Sequence, residues 1–328
     1  MKWRMERRQV FLSRLAGHGM VPEAGQTNPD GGAFDPPRSR RTVRADGLTL
    51  QVQVAGEGPP VILLHGFPEN SHSWRHQIAP LARAGFSVWV PDLRGYPPSD
   101  LPADMRGCHL RHLIADVAAM VEASGYPKAH VVGHDWGGII AWAFAGRHPQ
   151  WLDRLVILNA PHMQIYRDKA WRTTQALRSL YVLLFQLPWL PERLLAAGDY
   201  RLVRAMFRYL PAQPAFDADD IQRYVDCLSR PGALTAALDY YRANLRHDGI
   251  RLAAQVRTDA PVLVIWGERD PALGVQLLDG IERFAPRARV HRIPHASHWV
   301  QNEAPEEVNR LLLDFLRRDG QPQNGAGA

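Results

Sequence analysis

Short apolar segments alternate with helical segments along most of this chain of 328 residues, and the alternation restricts its fold more than any other feature. Short continuous apolar runs are typical of strands that are buried on both faces of a parallel sheet. Such runs occur at Pro60–Leu64, Ser87–Val90, Ala129–Val132, Leu155–Leu158, Val262–Trp266 and Val290–Ile293. A further segment, Leu48–Val54, alternates apolar and polar residues, which predicts a half-buried strand.

Helical patterns separate these strands and follow the last one. We predict helices over Ser73–Ala84, Leu110–Ser124, Gly138–Arg147 and Pro305–Arg317. Strand–helix alternation of this kind predicts an α/β fold with a mostly parallel central sheet flanked by helices.

One internal region interrupts the alternation. Residues 161–247 contain no convincing strand pattern, many aromatic residues and several prolines near predicted helix ends. We therefore predict that they form an all-helical cap inserted between two parts of a core, residues 40–160 and 248–318. Residues 1–39 are interpreted as a basic, irregular N-terminal extension, and residues 319–328 as a disordered tail.

The distribution of charge excludes nucleic acid as a partner. The net charge is +6, and residues 1–45 alone contain nine basic and four acidic residues, so the body of the protein is nearly neutral. The extension lacks the apolar core of a signal peptide, and no apolar run is long enough to span a membrane. We expect a cytoplasmic protein whose basic N-terminus makes at most a weak peripheral membrane contact. Cys108 and Cys227 are too few for a disulfide framework or a cysteine-based zinc site.

The most informative motif is Gly133-His134-Asp135-Trp136-Gly137, where a predicted buried strand leads directly into a helix. The glycines at 133 and 137, two residues before and after Asp135, permit a tight turn that exposes its carboxylate as a nucleophile. The helix N-terminus stabilises an anion at that point. The alternative is that Asp135 is only a helix N-cap, which is a common role of aspartate.

Two later residues favour the nucleophile. Asp270 follows the strand Val262–Trp266, and His298 follows the last predicted strand and precedes the final helix. The order nucleophile, acid, histidine, with each residue at the carboxyl end of a strand, is that of a hydrolase triad.

These motifs and several others resemble the epoxide hydrolase family of α/β-hydrolases over about residues 40–318. The branch that contains the vertebrate membrane-anchored paralogues is especially similar, although their membrane helix has no counterpart here. The resemblance is carried by the segments His65–Glu69 (HGFPE), Ser73–Gln77 (SWRHQ), Asp92–Tyr96 (DLRGY), His134–Gly138 (HDWGG), Tyr181–Glu192 (YVLLFQLPWLPE), Asp239–Asn244 (DYYRAN) and Ser297–Trp299 (SHW).

The resemblance implies a role for each part of the site. Asp135 attacks a small apolar epoxide, Tyr181 and Tyr241 activate the epoxide oxygen, and His298 with Asp270 activates the water that releases a vicinal diol. An aspartate suits this reaction because it leaves a cleavable ester, whereas a serine would leave an ether. The backbone N–H groups of Phe67 and Trp136 form the oxyanion hole, and the residues that shape this loop are His65, Gly66 and Pro68. No cofactor or metal is needed.

The sequence alone leaves two other functions open. A haloalkane or haloacid dehalogenase uses the same aspartate nucleophile, although haloalkane dehalogenases typically have asparagine at the position of Phe67. A non-catalytic scaffold of the same fold is a more remote alternative, because such scaffolds usually lose a member of the triad. Either tyrosine, like the neighbouring Tyr240, is alternatively a packed cap residue. Pro97 departs from the family pattern, so the sequence does not predict the shape of its loop. The sequence does not predict the oligomeric state either.

Overall fold

Eight strands form one sheet in the computed structural model, which describes residues 38–170 and 172–317. The strands are β1 (Arg38–Ala45), β2 (Leu48–Ala55), β3 (Pro60–Leu64), β4 (Ser87–Pro91), β5 (Ala129–His134), β6 (Leu152–Leu158), β7 (Val262–Gly267) and β8 (Ala288–Ile293). Their order across the sheet is β1-β2-β4-β3-β5-β6-β7-β8. The pairs β1–β2 and β2–β4 are antiparallel, and the other five pairs are parallel. The structure confirms the predicted α/β class and the mostly parallel sheet.

The central strands are buried because helices cover both faces of the sheet. Every residue of β3, β5 and β7 is buried, as their continuous apolar sequences require. The helices of this layer are α1 (Arg75–Arg83), α2 (Leu110–Ser124), α3 (Trp136–Arg147), α11 (Val300–Glu303) and α12 (Pro305–Leu316). Short 3₁₀ helices lie at Ser71–Trp74, Met105–Cys108, Pro149–Trp151, Val275–Leu278 and Ile281–Arg283. One apolar core contains residues of α2 and α3, and a second contains residues of α1 and α12.

Strand β1 is not predicted from the sequence, and it begins at Arg38, two residues before the predicted start of the core at residue 40. Its sequence, RSRRTVRA, has four arginines, and only Val43 and Ala45 are buried. An edge strand is held by the ladder to a single neighbour and needs little apolar burial. Because β1 pairs with β2 over its whole length, the basic stretch from Arg38 belongs to the sheet.

Helices fill the region between β6 and β7, which we call the cap (residues 161–247). They are α4 (Met163–Lys169), α5 (Gln175–Arg178), α6 (Leu180–Leu184), α7 (Leu190–Tyr209), α8 (Ala218–Leu228) and α9 (Ala233–Arg246), followed by α10 (Gly249–Ala254). Helix α7 is interrupted at residues 197–200, where Gly198, Asp199 and Tyr200 have positive φ angles. The cap is fastened to the core through α9: the Tyr240 hydroxyl donates to Arg94 O, and Asn244 accepts from Leu110 N and donates to Cys108 O.

None of the helices in the described ranges is long and apolar enough to cross a membrane. The predicted N-terminal extension, except for residues 38 and 39, and the predicted tail lie outside the described residues.

Candidate active site

The candidate residues meet at the carboxyl edge of the sheet because each follows a parallel strand there. His65 follows β3, Asp135 follows β5, Asn159 follows β6, Asp270 follows β7, and His298 lies beyond β8. In an open α/β sheet, ligands bind at this edge. The short connections after these strands therefore bring together residues that are far apart in sequence.

Asp135 lies in a strained turn between β5 and α3. Its φ angle is 51° and its ψ angle is −120°, a conformation that costs a non-glycine residue free energy. The turn depends on close backbone contacts, since a Cβ on Gly133 would lie 2.2 Å from Gly137 O, and one on Gly137 would lie 2.1 Å from Leu64 O. The Asp135 side chain makes no capping bond to α3. The structure therefore favours a carboxylate that faces the pocket over the N-cap alternative.

A backbone amide of the loop after β3 holds the Asp135 carboxylate. Phe67 N–H donates to Asp135 Oδ1 at 2.9 Å, and the N–H of the adjacent Trp136 also favours the charged carboxylate. A Cβ on Gly66 would lie 2.4 Å from Asp135 Cβ, so only glycine permits the approach. Burial raises the pKa of Asp135, and the charges of His298 and His134 together with the two amides offset part of this rise.

His298 and Asp270 form a buried pair. His298 Nδ1 lies 2.7 Å from Asp270 Oδ2, and the same oxygen accepts from Asn159 Nδ2 at 2.7 Å. Asp270 Oδ1 accepts from Ala272 N at 2.7 Å and from Leu273 N at 2.8 Å. Burial alone raises the pKa of Asp270, but His298 and these donors outweigh it and lower the pKa. Asp270 is therefore fixed as a carboxylate that accepts a hydrogen bond from His298 Nδ1–H.

The other imidazole nitrogen faces Asp135. His298 Nε2 lies 3.7 Å from Asp135 Oδ2, a distance longer than that of a direct hydrogen bond. Burial lowers the pKa of His298, but the charges of Asp270, Asp135 and Glu69 and the bond to Asp270 raise it to about 9. Hence the imidazole is cationic at neutral pH while Asp135 carries its charge.

Tyr181 and Tyr241 reach the same pocket from the cap. They belong to α6 and α9, and their ring centroids are 6.0 Å apart. Burial, followed by nearby negative charge, raises the pKa of both phenols well above the ordinary value, so both remain protonated. The pocket encloses about 520 Å³ of empty space, part of it open to solvent, and is lined by Asp135, Trp136, Ile139, Ala160, Pro161, Met163, Tyr166, Tyr181, Val182, Tyr241, Leu245, Ile250 and Leu273.

Comparison with known proteins supports the family predicted from the motifs. The family model for the alpha/beta hydrolase fold matches residues 59–305. The chain belongs to the α/β-hydrolase family. It is 34% identical to epoxide hydrolase 3 of Mus musculus over 84% of this chain and 76% of the relative, and 37% identical to the AB hydrolase superfamily protein YfhM of Bacillus subtilis over 84% and 96%.

Solved structures agree with this assignment. An epoxide hydrolase from Bacillus megaterium in complex with an inhibitor is 31% identical, with a TM-score of 0.75, over 85% of this chain and all of the other. These likenesses place the chain among the epoxide hydrolases of the α/β-hydrolase family. They confirm the predicted fold and the hydrolase class.

Glu69 and His134 belong to motifs of the sequence but have no role predicted from it. In this α/β-hydrolase they form a fully buried pair in which His134 Nδ1 lies 2.9 Å from Glu69 Oε2. His134 Nε2 lies 2.8 Å from His298 O, and Ser73 Oγ donates to Glu69 Oε1 at 2.6 Å. Both nitrogens of His134 thus lie within hydrogen-bond distance of an oxygen atom. The pair supports the backbone of His298. In the sequence, the only indication of the pair is that each residue belongs to one of the motifs that meet in the fold.

The remaining predicted residues lie around the site. His65 is buried between Gly66 O and Leu93 N, each 3.0 Å from a ring nitrogen, and burial lowers its pKa to about 4. A neutral imidazole that holds two loops fits a structural role. Pro97 O accepts from Cys227 Sγ of α8, so the Pro97 loop lies against the cap. Within residues 38–170 and 172–317, no group of three His, Cys, Asp or Glu side chains is arranged to hold a metal ion.

Proposed function

We propose that the protein hydrolyses epoxides to vicinal diols through a covalent ester on Asp135. The observation that carries the proposal is the placement of the Asp135 carboxylate. Oδ1 accepts from Phe67 N–H, Oδ2 faces His298, and the carboxylate borders the pocket that Tyr181 and Tyr241 also line.

In the first step, Asp135 Oδ2 attacks a ring carbon and the bond from that carbon to the epoxide oxygen breaks. The oxygen receives a proton from Tyr181 or Tyr241, both of which are kept protonated by burial. Proton donation of this kind contributes about 10²–10⁴ in rate. Asp135 Oδ1, which remains hydrogen-bonded to Phe67 N–H, becomes the carbonyl oxygen of the ester.

In the second step, His298 removes a proton from water, which attacks Asp135 Cγ. Ester formation has by then removed the negative charge of Asp135, which is one of the charges that raise the pKa of His298. The pKa of His298 therefore falls as the ester forms, and the imidazole becomes neutral when a base is needed. The proton that His298 loses on becoming neutral restores the tyrosine that donated in the first step. The Phe67 and Trp136 amides stabilise the oxyanion, which collapses as the ester bond between Cγ and the diol oxygen breaks. The departing diol takes the proton that His298 removed from water, and the new carboxyl group of Asp135 returns its proton to His298.

The pocket favours a small neutral substrate. Its lining is apolar except for Asp135 and three tyrosines, and none of the described lining residues is cationic. A carboxylated substrate would therefore lose its hydration without gaining a counter-ion. We infer an apolar epoxide and water as the reactants, and we retain the cytoplasmic location as a prediction.

The ester is tested by a single turnover in ¹⁸O-labelled water with enzyme in excess. Water attacks Cγ, so the label is expected in the Asp135 carboxylate, where mass spectrometry of the peptide detects it. The diol of the first turnover carries no label. Asp135→Asn serves as the inactive control, and label in the diol alone refutes the covalent mechanism.

The substrate class is tested by replacing the two pocket tyrosines with phenylalanine. For Tyr181→Phe with Tyr241→Phe we expect epoxide turnover to fall by about 10²–10⁴. Tyr240→Phe is the matched control because this neighbour bonds to Arg94 O and does not line the pocket. Unchanged epoxide turnover, together with turnover of haloalkanes, would assign the protein to the dehalogenases instead.

A further inference from the structure

One helical segment of the cap has two apolar faces. Helices α5 and α6 are joined by backbone hydrogen bonds through Ser179, from Ser179 N to Gln175 O at 2.9 Å and from Val182 N to Ser179 O at 3.0 Å. On the inner side, Tyr181 and Val182 line the pocket. A wall of this kind ordinarily presents polar residues to water on its outer side.

The outer side is instead made of exposed apolar side chains, which we call the leucine face. The exposed fractions are 73% for Leu177, 53% for Leu180, 45% for Leu183, 45% for Leu187 and 62% for Trp189. Residues 179–191 contain no charged residue. In the part of the chain that the structure describes, eleven of the thirteen exposed large apolar residues lie within residues 177–245. A patch of this extent indicates a binding surface.

The helices that carry and follow the leucine face are basic. Residues 172–209 contain six arginines, no lysine and two acidic residues, and four of the arginines are exposed: Arg172, Arg193, Arg201 and Arg208. Both acids are already paired, Glu192 with Arg242 at 2.7 Å and Asp199 with Arg204 at 2.7 Å. Arg193 lies over the Trp189 ring, with its Cζ 5.7 Å from the ring centroid. We therefore expect a partner that is apolar where it contacts the leucines and anionic where it contacts the arginines.

We propose that the leucine face binds the surface of an anionic lipid bilayer. Leucine and tryptophan side chains enter the interface while arginines contact the headgroups. A second copy of this chain fits less well, because a symmetric contact would bring the same arginines together. The N-terminal residues 1–20 fit less well for a similar reason, since they carry five basic residues and one acidic residue.

Bilayer binding would place the pocket beside the lipid. Val182 lines the pocket from the segment itself, and Leu245 lines it from α9 while remaining 45% exposed. Arg246 donates to Gln186 O, which holds this end of α9 against the segment. An apolar substrate dissolved in the bilayer would then enter without crossing much water. The binding itself does not depend on the proposed chemistry.

The test is sedimentation of the full chain with vesicles of phosphatidylcholine, with or without phosphatidylglycerol. We expect binding to the anionic vesicles that weakens as salt is added. For Leu177→Gln with Leu180→Gln we expect a partition coefficient roughly tenfold or more lower. Tyr126→Gln with Val290→Gln is the matched control, because these side chains are 43% and 41% exposed and lie outside the cap.

Other occupants give different results. Equal binding of the leucine variant and the wild type overturns the proposal, as does the absence of vesicle binding by the wild type. Loss of binding in Arg4→Gln with Arg7→Gln, but not in the leucine variant, assigns the contact to the N-terminus instead. A dimer that forms without lipid and is lost in the leucine variant assigns the face to self-association.

Discussion

The buried ion pair of Glu69 and His134 shows how single residues support the site without touching substrate. The two side chains are fully buried and 2.9 Å apart, and His134 also bonds to the backbone of His298. Burial raises the pKa of Glu69, but the charge and hydrogen bond of His134 outweigh it and lower the pKa. Removing one member of such a pair leaves a buried charge without compensation.

We therefore expect Glu69→Ala to lower the free energy of unfolding by about 3–5 kcal/mol. Glu69→Gln should recover most of this loss, because the amide can donate to His134 Nδ1 and accept from Ser73 Oγ. Urea denaturation monitored by fluorescence measures both. Asp314→Asn is the surface control, since Asp314 and Arg310 are 68% and 59% exposed, and we expect a change below about 1 kcal/mol. Equal stability of the alanine and glutamine variants would contradict this role of the pair.

At the scale of elements, the cap and the core meet at the loop that carries Asp270. Gln175 is fully buried, its Nε2 donates to Ala272 O at 2.6 Å and to Ser179 Oγ at 3.0 Å, and its Oε1 accepts from Gly274 N at 3.0 Å. Arg178 of the same helix donates to Asp270 O. Helix α5 therefore holds the loop in which Asp270 accepts from Ala272 N and Leu273 N.

We expect Gln175→Ala to lower kcat about ten- to a hundredfold with a smaller change in KM, since the acid that orients His298 shifts. Each buried group left unpaired costs about 1–3 kcal/mol of stability. An NMR titration separates the two effects, because a displaced Asp270 also lowers the pKa of His298. Gln164→Ala is the control, as Gln164 bonds to Asp168 on the exposed side of α4. A loss of stability without change in kcat or in that pKa would make Gln175 merely structural.

The elements themselves are predictable from sequence where burial is strong. The strand Pro60–Leu64 and the helix Leu110–Ser124 have the bounds that the sequence predicts, because an apolar run and a regular helical spacing leave few alternatives. Strand β1 could not be predicted, since its arginines are exposed and its pairing partner determines its structure. The contacts of Gln175 with the Asp270 loop could not be predicted from sequence either, because they join residues about a hundred positions apart.

At the scale of the whole molecule, motif order predicts one candidate site because the fold brings the carboxyl ends of parallel strands together. The sequence predicts Asp135, Asp270 and His298 as members of one site, and the structure places them in one site. Glu69 and His134 receive no role from the sequence, since nothing in two separate motifs states that their side chains pair. Such pairings depend on the packed interior, and so does the charge state of His298.

The charge state of His298 links the site to the stability of the entire fold. Its pKa is about 9 in the folded protein and 6.5 ordinarily, so the folded state binds more protons between these values. The stabilisation is complete below pH 6.5 and is lost as pH rises through 9. The pKa of Asp92 and that of Asp116, which burial raises to about 6, lie below this window.

We expect the free energy of unfolding to fall by roughly 2 kcal/mol as the pH rises from about 6.5 to about 8.5, because the proton that His298 binds more tightly in the folded protein is then lost. The range stops there because burial raises the pKa of Cys108 and of Cys227, so both thiols lower stability above about pH 9. Urea denaturation at several pH values measures the slope, and in His298→Gln most of the slope should disappear. His291→Gln is the control, since His291 is 37% exposed and bonds to Glu307 at 2.9 Å, so its slope should match that of the wild type. If His298→Gln kept the wild-type slope, His298 would be neutral in the folded protein, and loss of the Asp135 charge would no longer be needed to make it a base.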